Sequence, residues 1–395
     1  MRSPENRGDR VTVRSVTGSI LHRRMRAHDP DEPHRAATPL ELLFDLAFVV
    51  AVGFVVEQLA HAVEEGHAGL GAGRFLMVFF AIWWAWVNFS HFGSVYDTDD
   101  ALYRVLTMVQ IGGVLVLAAG VEPAFTEADF TVIVIGYVIM RIAMVCQWLR
   151  AAVEYPEGRR SSLFFAGGIL IVQAGWIGRL FLPDSLAIAS FIVLAVLEIA
   201  VPVVAESAGG TTQWHPGHLA ERYSLFIIIV LGEQVVGSTN ALVEGFKEPH
   251  HLTDLIGVAV GGLVVFMALW WLYFDRFEEH PRTLRGTLTW AYGHYFLLGA
   301  IAAAGAGVEV AIVAVSKDVP AGPALAIPVA VYLIGLWLLY GGPKANLVGK
   351  IAGPLAAVLI LAGAFTPAAF WVTVAVLVIL VAVKTVSARG ASEPA

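Results

Sequence analysis

Long apolar segments recur along this chain from Leu40 onward, separated by short polar or Gly/Pro-containing breaks. At about 17–22 residues, one helical segment covers a hydrocarbon core of ~30 Å. Only helices and closed barrels satisfy their backbone groups in lipid, and barrel strands are about 9–11 residues long. The pattern therefore predicts an all-α fold, a polytopic membrane helix bundle. About twelve transmembrane helices are expected, at residues 40–60, 75–93, 104–121, 131–150, 163–182, 185–205, 222–242, 255–274, 288–313, 324–341, 350–365 and 367–386.

The composition excludes most soluble classes of protein and agrees with a membrane location. Of the 395 residues, 57% are hydrophobic and only 14% are charged, whereas soluble domains contain about 25% charged residues. A chain this apolar is stable in a bilayer, so lipid is the first expected partner. The net charge of −7 gives no indication of a nucleic-acid partner.

The distribution of Lys and Arg predicts the orientation in the membrane. With the N-terminus in the cytosol, 20 of the 25 Lys and Arg fall on the cytosolic side and four on the outer side, which agrees with the positive-inside rule. Both termini are therefore expected to be cytosolic. Residues 1–37 contain eight Arg and no long apolar stretch, and they are predicted to be a disordered basic cytosolic arm. Residues 387–395 are predicted to be a cytosolic tail.

The two halves of the chain resemble each other. Asp45 lies twelve residues before Glu57, and Glu221 lies twelve residues before Glu233. A Trp-Trp pair and a Gly-Val-Glu triplet also recur, both 187 residues later in the chain. Because six spans are an even number, both copies would enter the membrane from the same side, as in the parallel repeats of transporters. The predicted six-helix repeats are residues 38–205 and 216–386.

Ionisable side chains inside apolar spans indicate function, because they are costly in lipid. Arg141, Glu198 and Glu233 lie near the middle of the fourth, sixth and seventh predicted spans. Arg stays protonated, so Arg141 needs a buried partner; Glu233 is expected from its depth, with Glu198 as the alternative. Such charges form either a structural lock, part of a binding site or ion pathway, or an enzyme site. The candidate binding or ion-pathway residues are Asp45, Glu57, Arg141, Glu198, Glu233, Gln234 and His294.

Several segments resemble the signatures of a known family. Residues 38–49 (TPLELLFDLAFV) resemble the opening signature of the bacterial low temperature requirement A (LtrA) family, with Leu43 and Ala47 where Phe and Val are expected. Residues 218–226 and 230–233 resemble its second signature, and the similarity extends over nearly all of residues 35–386. The motif residues are Glu41, Phe44, Asp45, Asp97, Asp99, Asp100, Arg104, His218, Glu221, Arg222 and Glu233.

The resemblance implies a multi-pass protein of the bacterial cytoplasmic (inner) membrane, although the family name records growth in the cold and not a chemistry. The leading hypothesis is a transporter or channel for a cation or small solute, because a repeat and mid-membrane carboxylates occur together. One alternative is a membrane-embedded enzyme acting on a lipid-type substrate; another is a non-catalytic membrane component that supports growth in the cold. The sequence identifies no cofactor, substrate or metal site, and it leaves a homo-oligomer open.

Overall fold

The structure, a computed structural model, describes residues 22–28, 35–96, 98–210, 212, 214–247, 251–275, 283–317, 319, 321–340 and 347–392. Within these ranges the regular structure is helical throughout, and no strand occurs. The α-helices are α1 (Pro39–Glu64), α2 (Ala68–Tyr96), α3 (Ala101–Ala119), α4 (Val121–Thr126), α5 (Thr131–Glu154), α6 (Arg159–Arg179), α7 (Ala187–Gly209), α8 (Pro216–Gly245), α9 (Leu252–Phe274), α10 (Leu284–Val313), α11 (Ala321–Tyr340), α12 (Leu347–Gly363) and α13 (Ala369–Ser392).

Eleven helices in the described part of the chain are long and apolar enough to cross a membrane. The predicted all-α membrane bundle is thus confirmed, and each of the twelve predicted spans coincides with a helix. One of those helices, α12, has 17 residues and is a shorter apolar helix than the others. The structure therefore supports eleven of the twelve predicted spans, and the remaining one, 350–365, corresponds to the shorter helix α12.

Helix α10 lies at the centre of the bundle. In its most apolar stretch 78% of the residues are buried, against 17% in α7 and 22% in α13. It packs against α1, α2, α8, α9 and α11. Small residues allow such close packing in membranes: Gly307 faces the backbone of Ala324 and Leu325 on α11, where a larger side chain would collide with that backbone. The last helix of each half, α7 or α13, is left to face lipid.

The two halves are packed in a similar order. In the first half α3 packs against α5, α5 against α6, and α6 against α7. In the second half α10 packs against α11, α11 against α12, and α12 against α13. Helix α1 joins the halves through its contacts with α8 and α10. This order agrees with two copies of one six-helix unit, which stays a prediction.

Part of the predicted basic arm packs on the helices. Residues 22–28 and 35–37 of the arm are described, and the rest of it lies outside the described residues. Met25 is completely buried, and its N–H donates to Glu154 Oε2 at 2.6 Å. Arg35 donates from both Nη atoms to the carbonyl oxygens of Gly93 and Ser94, each at 2.7 Å. These segments mark one end of the bundle, named the arm end here, where α1 and α8 begin; the opposite end is the far end.

A charged cluster at the arm end connects the arm to α3 and α5. Arg150 donates two hydrogen bonds to the carboxylate of Asp100, at 2.8 and 2.6 Å. The backbone N–H groups of Arg23 and Tyr103 also donate to this carboxylate, at 2.8 and 3.0 Å. Burial raises the pKa of Asp100, but these hydrogen bonds outweigh burial and hold the pKa well below its usual range. Asp100 also caps the N-terminus of α3.

We expect Asp100→Asn to lower the melting temperature at neutral pH. Hydrogen bonds to a charged group contribute ~1.5–3 kcal/mol, and the amide loses that charge. Because the pKa of Asp100 is lower in the folded than in the unfolded protein, its carboxylate stabilises the folded state above pH ~3.9, the unfolded-state pKa of Asp. This stabilisation is lost as the pH falls through the folded-state pKa. Thermal melts of detergent-solubilised protein from pH 7 to pH 3 should therefore show the difference from wild type narrowing at the acid end.

Asp99→Asn is the matched control for Asp100→Asn. Asp99 has a positive φ of 44°, which Asn also tolerates, and its side chain pairs with Arg104 at the surface. An exposed pair contributes less than about 1 kcal/mol, so this variant should melt close to wild type. Equal melting temperatures for the two variants at neutral pH would contradict a stabilising role for the Asp100 cluster.

Candidate functional site

Four side chains from the two motif segments meet in one completely buried cluster, named the motif cluster: Glu41 and Asp45 on α1, and His218 and Arg222 on α8. Arg222 Nη1 donates to Glu41 Oε1 at 2.9 Å. Its Nη2 and Nε donate to the two oxygens of Asp45, at 2.5 and 3.2 Å. His218 Nε2 lies 3.2 Å from Glu41 Oε2. One arginine thus joins two carboxylates of the first half to the second half.

Helical spacing produces this arrangement. Glu41 and Asp45 are one turn apart and share a face of α1, and His218 and Arg222 share a face of α8 in the same way. Two anions on one face of a helix need a nearby cation, and the facing helix supplies it. Helix α1 begins with a capping box, in which Thr38 N donates to Glu41 Oε2 at 2.9 Å and Glu41 N donates to Thr38 Oγ1 at 3.3 Å.

Aromatic side chains shield the motif cluster from solvent. Trp86 Nε1 donates to Asp45 Oδ1 at 2.7 Å. The motif residue Phe44 stacks on Phe89 at a ring distance of 3.9 Å, and both are completely buried. The Arg222 guanidinium lies 5.7 Å from the centre of the Phe89 ring. The cluster is therefore shielded from solvent, and its ion pairs connect α1 of the first half to α8 of the second half.

The remaining motif residues lie elsewhere. Glu221 is partly buried and accepts a hydrogen bond from the N–H of Ala37 at 3.4 Å, so it does not share the buried environment of Asp45. Arg104 forms a surface pair with Asp99, and Asp100 belongs to the arm-end cluster. Asp97 lies outside the described residues.

The expected pair of Arg141 with Glu233 is wrong: Arg141 pairs with Glu198, the alternative partner. Both side chains are almost completely buried. Glu198 also accepts hydrogen bonds from Trp84 Nε1 at 2.7 Å, the Tyr137 hydroxyl at 2.9 Å and Trp176 Nε1 at 3.1 Å. Arg141 and Glu233 lie at similar depths along their predicted spans, which had suggested that they form a pair. Helix α5, however, packs against α6 and α2 within the first half, and α8 is not among its main neighbours.

A cavity of about 650 Å³ opens at the far end between α1, α8 and α10, and it is named the far-end cavity. Its charged lining is mainly acidic. Lys247 forms an exposed pair with Glu244, and His61 lies 3.8 Å from Glu57, whose side chain is 57% exposed. Among the described residues, two lysines and one histidine line the cavity, against five acidic residues. The acidic residues are Glu57, Glu64, Glu233, Glu244 and Glu309.

Glu233 and Glu309 are two of the three partly buried carboxylates of this cavity, and Glu64 is the third. The Glu233 carboxylate lies against Gly53 of α1, and the Glu309 carboxylate lies against Gly237 of α8. A Cβ at either glycine would collide with the carboxylate, so these two glycines make room for it. Among the described residues, neither carboxylate has a hydrogen-bond or ion-pair partner.

The last two predicted site residues are buried beside the α8–α10 contact. Gln234 is almost completely buried against Gly305, and its Oε1 accepts no hydrogen bond from the described residues. His294 is completely buried, with Nδ1 2.7 Å from the Trp290 carbonyl oxygen and Nε2 3.0 Å from the Tyr273 hydroxyl. Since a carbonyl can only accept, Nδ1 carries a proton and donates to Trp290, and the Tyr273 hydroxyl is the hydrogen-bond partner of Nε2. His294 is thus a hydrogen-bonded core histidine.

Sequence reasoning missed Glu309 as a site residue. Its Gly-Val-Glu triplet was recognised only as a repeat match, although Glu309 lies within the predicted span 288–313. The criterion that selected Glu233, an ionisable group inside an apolar span, applies equally to Glu309. Proximity of the two carboxylates could not be read from the chain, because they lie on different helices.

Comparison with known proteins agrees with the motif segments. The family model described as bacterial low temperature requirement A protein (LtrA) matches residues 36–388. The chain is also 27% identical over 287 residues to an uncharacterized protein of Rhizobium meliloti (strain 1021). That match covers 66% of this chain and 66% of the relative's length, just under two thirds of each.

Proposed function

The chain belongs to the bacterial low temperature requirement A (LtrA) family, and from this premise we propose that it transports a small cation across the membrane, with Glu233 and Glu309 as the cation-binding carboxylates. The far-end cavity carries the proposal, because it admits solvent to two partly buried carboxylates, Glu233 and Glu309, that form no ion pair among the described residues. Ionisable groups at such positions in membranes line ion or proton pathways. A bound cation would supply the missing charge.

The proposed orientation places the far end outside the cell. The arm and most Lys and Arg of the sequence then lie on the cytosolic side. In this orientation the far-end cavity is an outward-facing vestibule, and the arm end is cytosolic. The proposal includes the parallel repeat, because halves that meet at α1, α8 and α10 can rock against each other around a fixed site.

A dry layer separates the carboxylates from the arm end. Glu233 lies eleven residues beyond Arg222 on α8, which is ~16 Å along a helix. The side chains of Phe226, Ile227 and Val230 fill this interval and are completely buried. The motif cluster then closes the arm end below them. This arrangement supports an outward-open form of a transporter that must separate its halves at the arm end to release a cation inside.

Currents from proteoliposomes on a solid-supported membrane test the proposal. After a jump in Na⁺, K⁺ or H⁺ concentration, wild type should give a current with at least one of these ions. The Glu233→Gln/Glu309→Gln variant should give a current smaller than that of wild type by a factor of about ten or more. The reason is that a loss of ~1.4 kcal/mol in cation binding lowers the affinity tenfold. Gln has nearly the same shape, and neither carboxylate has a partner to lose, so the variant should fold.

Asp254→Asn is the control for the current measurement. Asp254 lies near the start of α9, at the same end of the bundle, and its side chain is 73% exposed. Removing this charge should leave the current at the wild-type level. No current above protein-free liposomes with any of the three ions, or a full current from the double variant, would overturn the proposal.

A further inference from the structure

A second cavity lies between the two halves toward the arm end, and it is named the aromatic cavity. Its volume is about 50 Å³, which is room for about four water molecules. Residues of α2, α6, α7, α8 and α10 line it together with Trp214. Its aromatic walls include Trp84, Trp214, Tyr223, Tyr292 and Phe165.

A buried carboxylate provides the charge of this cavity. Glu206 on α7 is 3% exposed and lines it. Thr212 donates to Glu206 from its backbone N–H at 2.7 Å and from its hydroxyl at 2.5 Å. His91 Nε2 lies 3.4 Å from Glu206 Oε1. Among the described residues no Lys or Arg lines the cavity, so the Glu206 carboxylate makes its field favourable for a cation and unfavourable for an anion.

Two further polar groups line the cavity. Tyr223 is completely buried, and its hydroxyl has no hydrogen-bond partner among the described residues. Asn88 donates from Nδ2 to the Trp84 carbonyl oxygen at 2.8 Å, which leaves its own side-chain oxygen as an acceptor. Asn88 keeps 6% of its surface accessible and can meet a ligand atom, whereas Tyr223 has no accessible surface and contributes to the wall only by packing.

We propose that the aromatic cavity binds a small organic ammonium ion. Aromatic faces within about 6 Å attract such a cation through their quadrupoles, and Trp does so most strongly. The Trp84 and Tyr292 rings lie 5.5 Å apart, and Trp214 lies 6.2 Å from the His91 ring beside Glu206. Trp84, Trp214 and Tyr292 therefore line the cavity together with the Glu206 carboxylate, and this combination favours a positively charged ligand. The volume limits the cation to about four or five non-hydrogen atoms, as in tetramethylammonium.

The carboxylate distinguishes this site from a cavity for a lipid tail or a neutral apolar molecule. Burying an ionised group is costly unless it is paired, and an apolar ligand would leave Glu206 with only its present partners, His91 and Thr212. An ammonium ion adds a charge of the opposite sign. The site is separate from the far-end cavity, because Tyr223 and Glu233 lie ten residues apart on α8, ~15 Å along the helix.

Isothermal titration calorimetry of the detergent-solubilised full chain tests the site with tetramethylammonium chloride as the probe. Wild type should bind tetramethylammonium and should not respond to equal concentrations of tert-butanol, a neutral molecule of similar size. Glu206→Gln should weaken binding about tenfold or more, because a charge-assisted contact is lost. Trp214→Phe and Trp214→Leu should weaken it progressively, in the order of cation–π strength.

The Trp214 series keeps the proposal testable if Glu206→Gln does not fold. Asp99→Asn removes an equal charge at the surface and should bind as wild type does. The Glu233→Gln/Glu309→Gln variant should also retain binding; loss of binding there would place the cation in the far-end cavity and overturn the proposal. The proposal would also be overturned by equal affinity for tert-butanol and tetramethylammonium, or by unchanged tetramethylammonium affinity in the Glu206 and Trp214 variants.

The binding test does not depend on transport. Currents without tetramethylammonium binding would leave the cation-transport proposal standing and remove this one. Binding without currents would establish an ammonium site in a protein that does not transport Na⁺, K⁺ or H⁺.

Discussion

Arg222→Ala is expected to remove most of the folded protein from the membrane. The substitution leaves Glu41 and Asp45 completely buried on one face of α1, with His218 as the remaining basic neighbour on α8. Breaking a buried ion pair from one side typically costs ~3–5 kcal/mol, and here one arginine serves two carboxylates. Whole domains are stable by only about 5–15 kcal/mol, so a loss of this size is a large fraction. Arg222→Lys should be intermediate, because an ammonium cannot reproduce the planar three-bond geometry.

Folded yield and melting temperature after detergent extraction measure this effect. Arg104→Ala is the matched control, because it also removes an arginine from a carboxylate but at a surface pair with Asp99. That control should change stability by less than about 1 kcal/mol. The triple variant Glu41→Gln/Asp45→Asn/Arg222→Met removes the charges of both carboxylates and of the guanidinium and should recover part of the yield. If Arg222→Ala matches Arg104→Ala, the motif cluster does not hold the halves together.

The second large effect is expected at the other buried pair, where Arg141→Ala leaves Glu198 without a cation. A carboxylate in the middle of a span costs ~2.5–3.5 kcal/mol on insertion scales. The neutral donors Trp84, Tyr137 and Trp176 still surround it, but they bring no charge. Adding Glu198→Gln removes the unpaired charge, so the double variant should recover at least half of the melting temperature lost by Arg141→Ala.

A parallel double variant checks which acid is the partner. Arg141→Ala/Glu233→Gln should give no recovery, because Glu233 lies in the far-end cavity and does not contact Arg141. Melting temperatures of the wild type, the two single variants and the double variant form a double-mutant cycle, which isolates the pair's coupling. Equal recovery from Glu198→Gln and Glu233→Gln would mean that the pairing in the structure is not what stabilises the protein.

The helices were the most predictable part of this protein. Lipid leaves a helix or a closed barrel as the only ways to satisfy a backbone, so apolar runs of sufficient length predict helices with little help from tertiary contacts. The predicted span 131–150 corresponds to Thr131–Glu154, and 288–313 corresponds to Leu284–Val313. The ends extend further than predicted where polar turns continue the helix outside the apolar run, as at Pro216 of α8. The prediction for α12 was weakest, because α12 is the shortest of the twelve.

The candidate residues were predictable as a set but not as pairs. An ionisable group in an apolar span is unusual enough to be selected from the chain, and Arg141, Glu198 and Glu233 were selected in this way. Depth along a helix can be counted at ~1.5 Å per residue. Which helix stands next to which cannot be counted, and for that reason the pairing of Arg141 with Glu233 was wrong.

The sequence by itself determined the class of the protein, the positions of its helices and the face that Glu41 and Asp45 share, because each of these depends on local periodicity and on the bilayer as solvent. Only the tertiary structure decided that Arg222 meets both carboxylates, that Glu309 joins Glu233 at a cavity, and that Glu206 lies among aromatic side chains. The physical reason is that such contacts depend on the rotation of each helix about its axis and on the choice of neighbours. Packing of the whole bundle determines both, and no stretch of a single helix encodes them.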